Sequence, residues 1–323
     1  MYIWGDVCMF KVIKLKSIIA AVILALIAFL GLKYFTYRLA AVNTSAGESG
    51  QKVLIVMYHS ILKDAKSNQK YIISSGQFEQ DIEHLKDNGF EFVTFTDLIN
   101  YVKTEEASLP SKPVVITFDD GFYNNYEYAY PIMKKLDAPF VISVVGEFSD
   151  GVKEDEKLNV NYSYLPWEAI REMNESGLVE IQNHSYNMHN LNKGRRGAKK
   201  AWGESYEAYE KVLAKDVMKM QELLTERSGV MPNTFTYPFG EQCRESEEIL
   251  KKLGFEATVS AFEGISRVEK GNPESLFTLL RYNRPGGKSS EAFFKKKIEL
   301  METAPKESPP PEVPVCPAEP VKK

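Results

Sequence analysis

The sequence predicts an α/β fold: parallel strands covered by helices, most simply a (β/α) barrel that is incomplete or distorted. Two observations lead there. A helical stretch, a breaker and a β-rich run recur four times. In addition, several short apolar runs end abruptly on histidine or aspartate, and polar chemistry at strand ends is the habit of parallel α/β folds.

The four units are "FEQDIEHLKDNGFEFVTF", "AYPIMKKLDAPFVISVV", "WEAIREMNESGLVEIQNH" and "SEEILKKLGFEATVS", with breakers at Gly89, Pro139, Gly177 and Gly254. Glycine after a lysine-bearing last turn is C-cap chemistry. Strands alternating with helices imply a parallel sheet. A doubly wound sheet would satisfy the same alternation. The chain has neither GxGxxG nor GxxxxGK[ST], which argues against a nucleotide site.

From the N-terminus, residues 1–16 carry Lys11, Lys14 and Lys16 and are expected in the cytoplasm. Residues 17–32 contain no charge, and Tyr34, Phe35 and Tyr37 extend this run toward an interface. Residues 17–37 therefore read as an uncleaved signal anchor, a single transmembrane helix. A cleaved signal peptide is the alternative, although "KYFTYR" separates the apolar run from any small-residue cleavage site. In both cases the remainder is exported, either held at the cell membrane as a single-pass protein or secreted.

Residues 38–52 are small and polar and read as a linker. Residues 53–301 are the expected catalytic domain. Residues 302–323 hold seven of the sixteen prolines and read as a disordered tail. The 323 residues are 44% hydrophobic with net charge −4, enough for a large core and without a field for nucleic acid. Cys8, Cys243 and Cys316 lie far apart with no CxxC, so they suggest neither a disulfide framework nor a thiolate zinc site; Cys243 reads as a bystander. Oligomeric state is left open.

Four runs place chemistry at strand ends. "VLIVMYHS" ends at His59, "VVITFDD" at Asp119 and Asp120, "LVEIQNHSYNMH" at His184 with His189 beyond, and "TFTYPFG" at residues 237–240. Three of the four histidines sit at such ends, which surface histidines have no reason to do. Two imidazoles and a carboxylate suit a divalent ion, zinc first and other divalent transition metals next. His184 and His189 are five apart, about 140° around a helix, so they must share an ion from a loop. The carboxylate comes from the Asp119–Asp120 pair. A cation there would offset the repulsion between two adjacent carboxylates, one ligating and the other free to act as a base. Taken singly, the aspartates could be a turn and the histidines a hydrogen-bonded loop pair.

At these residues the chain resembles the polysaccharide deacetylase family, the NodB-type carbohydrate esterases. "TFDDG" matches the first motif, "HSYNMH" the second and "TYPFG" the third, with weaker similarity at "YHS", "GESYEAY" and "LLRYNRPGG". The five-residue histidine spacing is similar to deacetylases of poly-N-acetylglucosamine and related exopolysaccharides. The resemblance implies a distorted (β/α) barrel of about seven strands. It implies Asp120, His184 and His189 as metal ligands, Asp119 as general base and the Phe239 backbone N–H as oxyanion donor. Tyr237 and Pro238, in the same third motif, are expected near substrate. The implied activity is metal-dependent hydrolysis of N-acetyl groups on amino sugars of a cell-wall or extracellular polysaccharide, peptidoglycan or a poly-N-acetylglucosamine-like polymer.

The sequence departs from the common family pattern where a late histidine would serve as acid, since no histidine follows His189. Asp119 acting twice, or His59, could supply that proton. His59 could equally serve only to hydrogen-bond its loop. Trp167 either packs a helix start or stacks on sugar. The basic run "NKGRRGAKK" is either a solvated loop or an attractor of an anionic polymer. Two other functions fit the same residues: a catalytically weak glycan-binding or structural module of this fold, and a hydrolase of small amides.

Overall fold

The computed structural model describes residues 50–65, 69–153, 157–191, 194–303, 313–314 and 316. The expected membrane anchor lies outside the described residues. Among these, no helix is long and apolar enough to cross a membrane.

The strands among the described residues are β1 (Gln51–Tyr58), β2 (Ser60–Leu62), β3 (Ile72–Ser74), β4 (Glu91–Phe92), β5 (Pro113–Phe118), β6 (Phe140–Val144), β7 (Val179–Asn183), β8 (Thr234–Thr236), β9 (Ala257–Val259), β10 (Ser266–Val268) and β11 (Tyr282–Asn283). β2 and β3 pair only with each other, and the remaining nine strands form one sheet. Its path runs β1-β5-β6-β7-β8-β9, all parallel, with β10 antiparallel beside the start of β1. β1 already begins at Gln51, so the expected linker ends earlier than its composition suggested.

The sheet curls. Leu279 bridges Val259 in β9, and Tyr282, three residues on, pairs with Val56 in β1. Three residues reach about 10 Å at most. The two outer strands must therefore approach one another, which a flat doubly wound sheet does not allow. The curled run β1-β5-β6-β7-β8-β9 and β11 make seven parallel strands, consistent with the distorted (β/α) barrel, and the two-residue β4 adds a short eighth beside β5.

Period-two alternation sorts the strands' side chains. Leu54, Val56, Val114 and Ile116 join the cluster under the helices, while Val53, Ile55 and Val115 join a second cluster. The second cluster takes Phe95, Leu98, Ile99 and Val102 from the helix Phe95–Lys103. The N–H groups of Phe95 and Thr96 donate to Glu180, near the start of β7. This helix therefore plugs the N-terminal ends of the strands and leaves the C-terminal ends for chemistry. The four sequence units appear as helix Ser75–Asp87 to β4, Tyr130–Lys135 to β6, Trp167–Glu175 to β7 and Arg244–Lys252 to β9. Gly89, Gly177 and Gly254 take positive φ as expected; the second unit turns instead at Asp137, with φ 47°.

Two features correct the sequence reading. Cys243 and Cys316 form a disulfide across 73 residues, so Cys243 is no bystander. The tail is held there as well: the Arg244 N–H donates to Pro314, and the Cys316 N–H to Glu245. Proline-rich composition hid this anchor because a single covalent bond can seat a segment that has no core of its own.

A fully buried ion pair fastens the closing segment. Arg284 donates from Nε to Asp81 Oδ2 at 2.7 Å and from Nη2 to Oδ1 at 2.9 Å, and Tyr58 Oη donates to the same carboxylate at 3.1 Å. Arg284→Ala strands a buried carboxylate and should lower stability by about 3–5 kcal/mol. Urea unfolding followed by circular dichroism measures this; a loss under about 1 kcal/mol would show that Asp81 reaches water.

Candidate metal centre

Every strand end named from sequence carries its side chain as expected: His59 follows β1, Asp119 and Asp120 follow β5, His184 follows β7 and Tyr237 follows β8. The adjacent aspartates diverge because the chain turns sharply. Asp120 takes φ 71° and Gly121 φ 73°. A Cβ on Gly121 would meet Val144 Cγ1 at 3.0 Å, so glycine is required by both conformation and space.

Asp120, His184 and His189 offer three ligand atoms within 4.8 Å of one another. Asp120 Oδ1 lies 3.0 Å from His189 Nε2 and 3.5 Å from His184 Nε2. His184 Nδ1 sits 2.7 Å from the Thr236 carbonyl, which can only accept, so Nδ1 carries the proton and Nε2 presents its lone pair to the cluster. Asp120 Oδ1 is buried with no hydrogen-bond partner of good geometry. Imidazole, imidazole and carboxylate around one buried, under-satisfied oxygen fit a divalent cation bound at about 2.0–2.2 Å.

The histidine loop is held from below. Asp216, on the helix Tyr206–Ser228, accepts from the N–H groups of Tyr186 and Asn187 at 2.8 Å each, and Asn183 Oδ1 accepts from the Ser185 N–H at 2.8 Å. Ser185 takes φ 72°. Phe148 approaches His189 edge-on at 5.7 Å, and the Phe239 ring lies 4.2 Å from it.

Electrostatics separate the two aspartates. Burial opposes charge on Asp120, yet the facing imidazoles hold its carboxyl far below the usual range. His189 is disfavoured as a cation by burial but raised overall by Asp120. Burial likewise opposes charge on Asp119, and Arg281 then holds it below its ordinary value. Arg281 Nη1 and Nη2 donate to the two Asp119 oxygens at 2.7 and 2.6 Å, and its Nε donates to the Ser260 carbonyl at 2.7 Å. All of this is buried.

Arg281 is the main residue that sequence reasoning missed. It lies in "LLRYNRPGG", visible only as weak supporting similarity, and its partner is 162 positions away.

Other expectations are revised. Trp167 is 8% exposed and donates through Nε1 to Asp150 at 3.0 Å, so it packs a helix start and is closed to sugar. Tyr237 is 1% exposed, packed against Phe235, and Pro238 is buried, so neither side chain lines a cleft. Phe239 adopts φ 58° with its ring 40% exposed. Four described residues of the basic run are paired: Arg195 with Glu204, Arg196 and Lys199 with Glu241, and Lys200 with Glu245. The His59 ring lies 4.6 Å from that of Tyr71, tilted at 53°, and its Nδ1 is buried without a partner among the described residues. Burial chiefly lowers its pKa, with Asp119 and Asp120 opposing.

His184→Ala, His189→Ala and Asp120→Asn should each lose most bound metal, read by elemental analysis after dialysis. In the parent protein, metal must displace a proton from His189, whose pKa is raised. Affinity should therefore fall as pH drops through a value above about 6.5. Full occupancy in both histidine variants, or pH-independent binding from pH 5 to about 8, would overturn the ligand assignment.

Residues 106–258 match the polysaccharide deacetylase family. The chain is 26% identical over 268 residues to a poly-beta-1,6-N-acetyl-D-glucosamine N-deacetylase of Escherichia coli K12, covering 77% of this chain and 39% of that protein. It is 30% identical over 190 residues to the Staphylococcus aureus MRSA252 protein of the same name, covering 59% and 61%. The chain thus spans less than two thirds of the length of either relative. The solved structure of IcaB from Ammonifex degensii superposes with TM-score 0.62 at 27% identity, covering 79% of this chain and 99% of that one. Motifs, curled sheet and these similarities agree in one direction: over residues 106–258 the chain is similar to the polysaccharide deacetylase family.

Proposed function

We propose that this protein hydrolyses N-acetyl groups on amino sugars of an extracellular or cell-wall polysaccharide, with a poly-N-acetylglucosamine-like polymer as the first choice of substrate. The observation that carries the reading is the pair of neighbouring aspartates with separate partners, Asp120 among two imidazoles and Asp119 on Arg281. The named relatives deacetylate such a polymer, which supports the same substrate class here.

Asp120, His184 and His189 would hold a divalent ion, zinc first. When bound, it would supply Lewis-acid polarisation of the amide carbonyl and make water a usable nucleophile near neutral pH. The chain's own groups do the rest. Asp119 takes a proton as water attacks the carbonyl carbon. Arg281 keeps Asp119 ionised until then, at the expense of basicity. The Phe239 N–H is the donor assigned to the oxygen that gains charge. The C–N bond breaks as a proton reaches the leaving amine, giving acetate and a free amino sugar. Asp119, a poor holder of protons beside Arg281, returns one readily. His59 is the other donor, and with its lowered pKa it would serve best on the acid side of neutrality.

Export to an oxidising compartment fits both the lysines before the apolar run and the Cys243–Cys316 disulfide. Protease added to intact cells should digest the folded unit; protection until lysis would reverse the proposed topology.

The function is tested by acetate release from N-acetylated oligosaccharides. Turnover of small amides alone, or glycan binding without turnover, would replace this reading. Asp119→Asn should keep metal and lose about 10²–10⁴-fold in kcat. His59→Ala should lose at least about tenfold with metal unchanged. It should also remove the alkaline limb of the kcat profile, which as the loss of a proton from a lowered pKa sets in below about 6.5. An unchanged kcat in His59→Ala would leave Asp119 as the sole proton carrier.

A further inference from the structure

We infer that a cavity sharing a wall with the metal centre is a second sugar site that prefers a hexosamine whose amine is already free. The inference rests on the deacetylase reading and adds a specificity to it. The cavity has a volume of about 280 Å³ and is lined in part by Glu147, Phe148, Tyr162 and Tyr164. That is just below the roughly 300–1,000 Å³ of drug-sized ligand pockets, room for one sugar ring rather than a chain.

Phe148 forms the shared wall. Its ring stacks on Tyr164 at 4.2 Å and meets His189 edge-on at 5.7 Å. Tyr164 in turn stacks at 5.1 Å on Phe122, which follows the "FDDG" turn. A ligand in the cavity would thus lie one aromatic ring away from the centre, the scale of a neighbouring residue in a polymer. Tyr162, 67% exposed, stands at the cavity with most of its ring in water. An aromatic ring placed this way contributes little to the core and offers a stacking face for the C–H side of a sugar.

Glu147 supplies the selectivity. One of its oxygens accepts from Asn187 Nδ2 at 2.7 Å, and Asn187 lies between the two ligand histidines, so the carboxylate is positioned by the same loop. A protonated amine placed here gains a charge-assisted hydrogen bond. An N-acetyl group would present a neutral amide and a methyl to the same carboxylate, which disfavours it. Because the proposed reaction produces free amines, each product sugar would improve binding of the next substrate, and deacetylation would spread in blocks.

The test is equilibrium binding by calorimetry to metal-loaded full-length protein carrying Asp119→Asn, which prevents turnover. Two β-linked N-acetylglucosamine oligomers of equal length are compared, one fully acetylated and one with a single free amine. The aminated oligomer should bind at least about threefold tighter, and adding Glu147→Gln should bring the ratio to about one. Tyr162→Ala should weaken both oligomers. Equal binding of the two oligomers, or a ratio unaffected by Glu147→Gln, overturns the inference. These are binding measurements, so they are separable from the parent reading, which fails on its own if the unmodified protein releases no acetate from any oligomer.

Discussion

Two carboxylates next to each other in sequence, both withdrawn from water, set the problem that the rest of the architecture answers. Asp120 is met by two imidazoles from one loop, and Asp119 by a guanidinium from the far end of the domain. The second answer is the more demanding. Removing one partner of a buried pair typically costs about 3–5 kcal/mol. Arg281 can reach Asp119 only when residues 279–283 lie between β9 and β1, where Leu279 and Tyr282 hold them. Arg284, paired with Asp81, fixes the same segment three residues later. Closing the barrel and seating Asp119 on Arg281 are therefore one structural event.

The C-terminal face departs from relaxed backbone where chemistry is expected. Among the described residues, Asp120, Ser185 and Phe239 are three of the five non-glycine positions with positive φ. Each such position costs on the order of 1–3 kcal/mol and persists only when its surroundings over-determine it. Those surroundings are visible: Gly121 against Val144, Asn183 and Asp216 beneath the histidine loop, and β9 beside the third motif, where Val259 accepts from the Tyr237 N–H.

What the sequence disclosed and what it hid divide along a physical line. Alternation of helix and strand and the placement of His59, Asp119, Asp120, His184 and His189 were legible because each depends on local periodicity and on a strand simply ending. Arg281 and the disulfide were not, because a pair separated by 162 or 73 residues leaves no local pattern. Side-chain direction was the other blind spot. Tyr237 and Trp167 occupy suggestive positions, yet their rings turn into the core, and four of the basic run's side chains pair with glutamates that composition could not assign to them.

The Cys243–Cys316 bond has a consequence for how the molecule can be cut and made. Arg281 lies between the two cysteines, so oxidation encloses the closing segment in a covalent loop of 73 residues. A loop of that size restricts the unfolded chain by roughly 4 kcal/mol. Because Cys316 is synthesised after Arg281, the clasp can shut only once the last piece of the barrel is available. A shortened protein ending at Met301 would keep Asp120, His184 and His189 and still lack this clasp, leaving Cys243 without its disulfide partner behind the third motif.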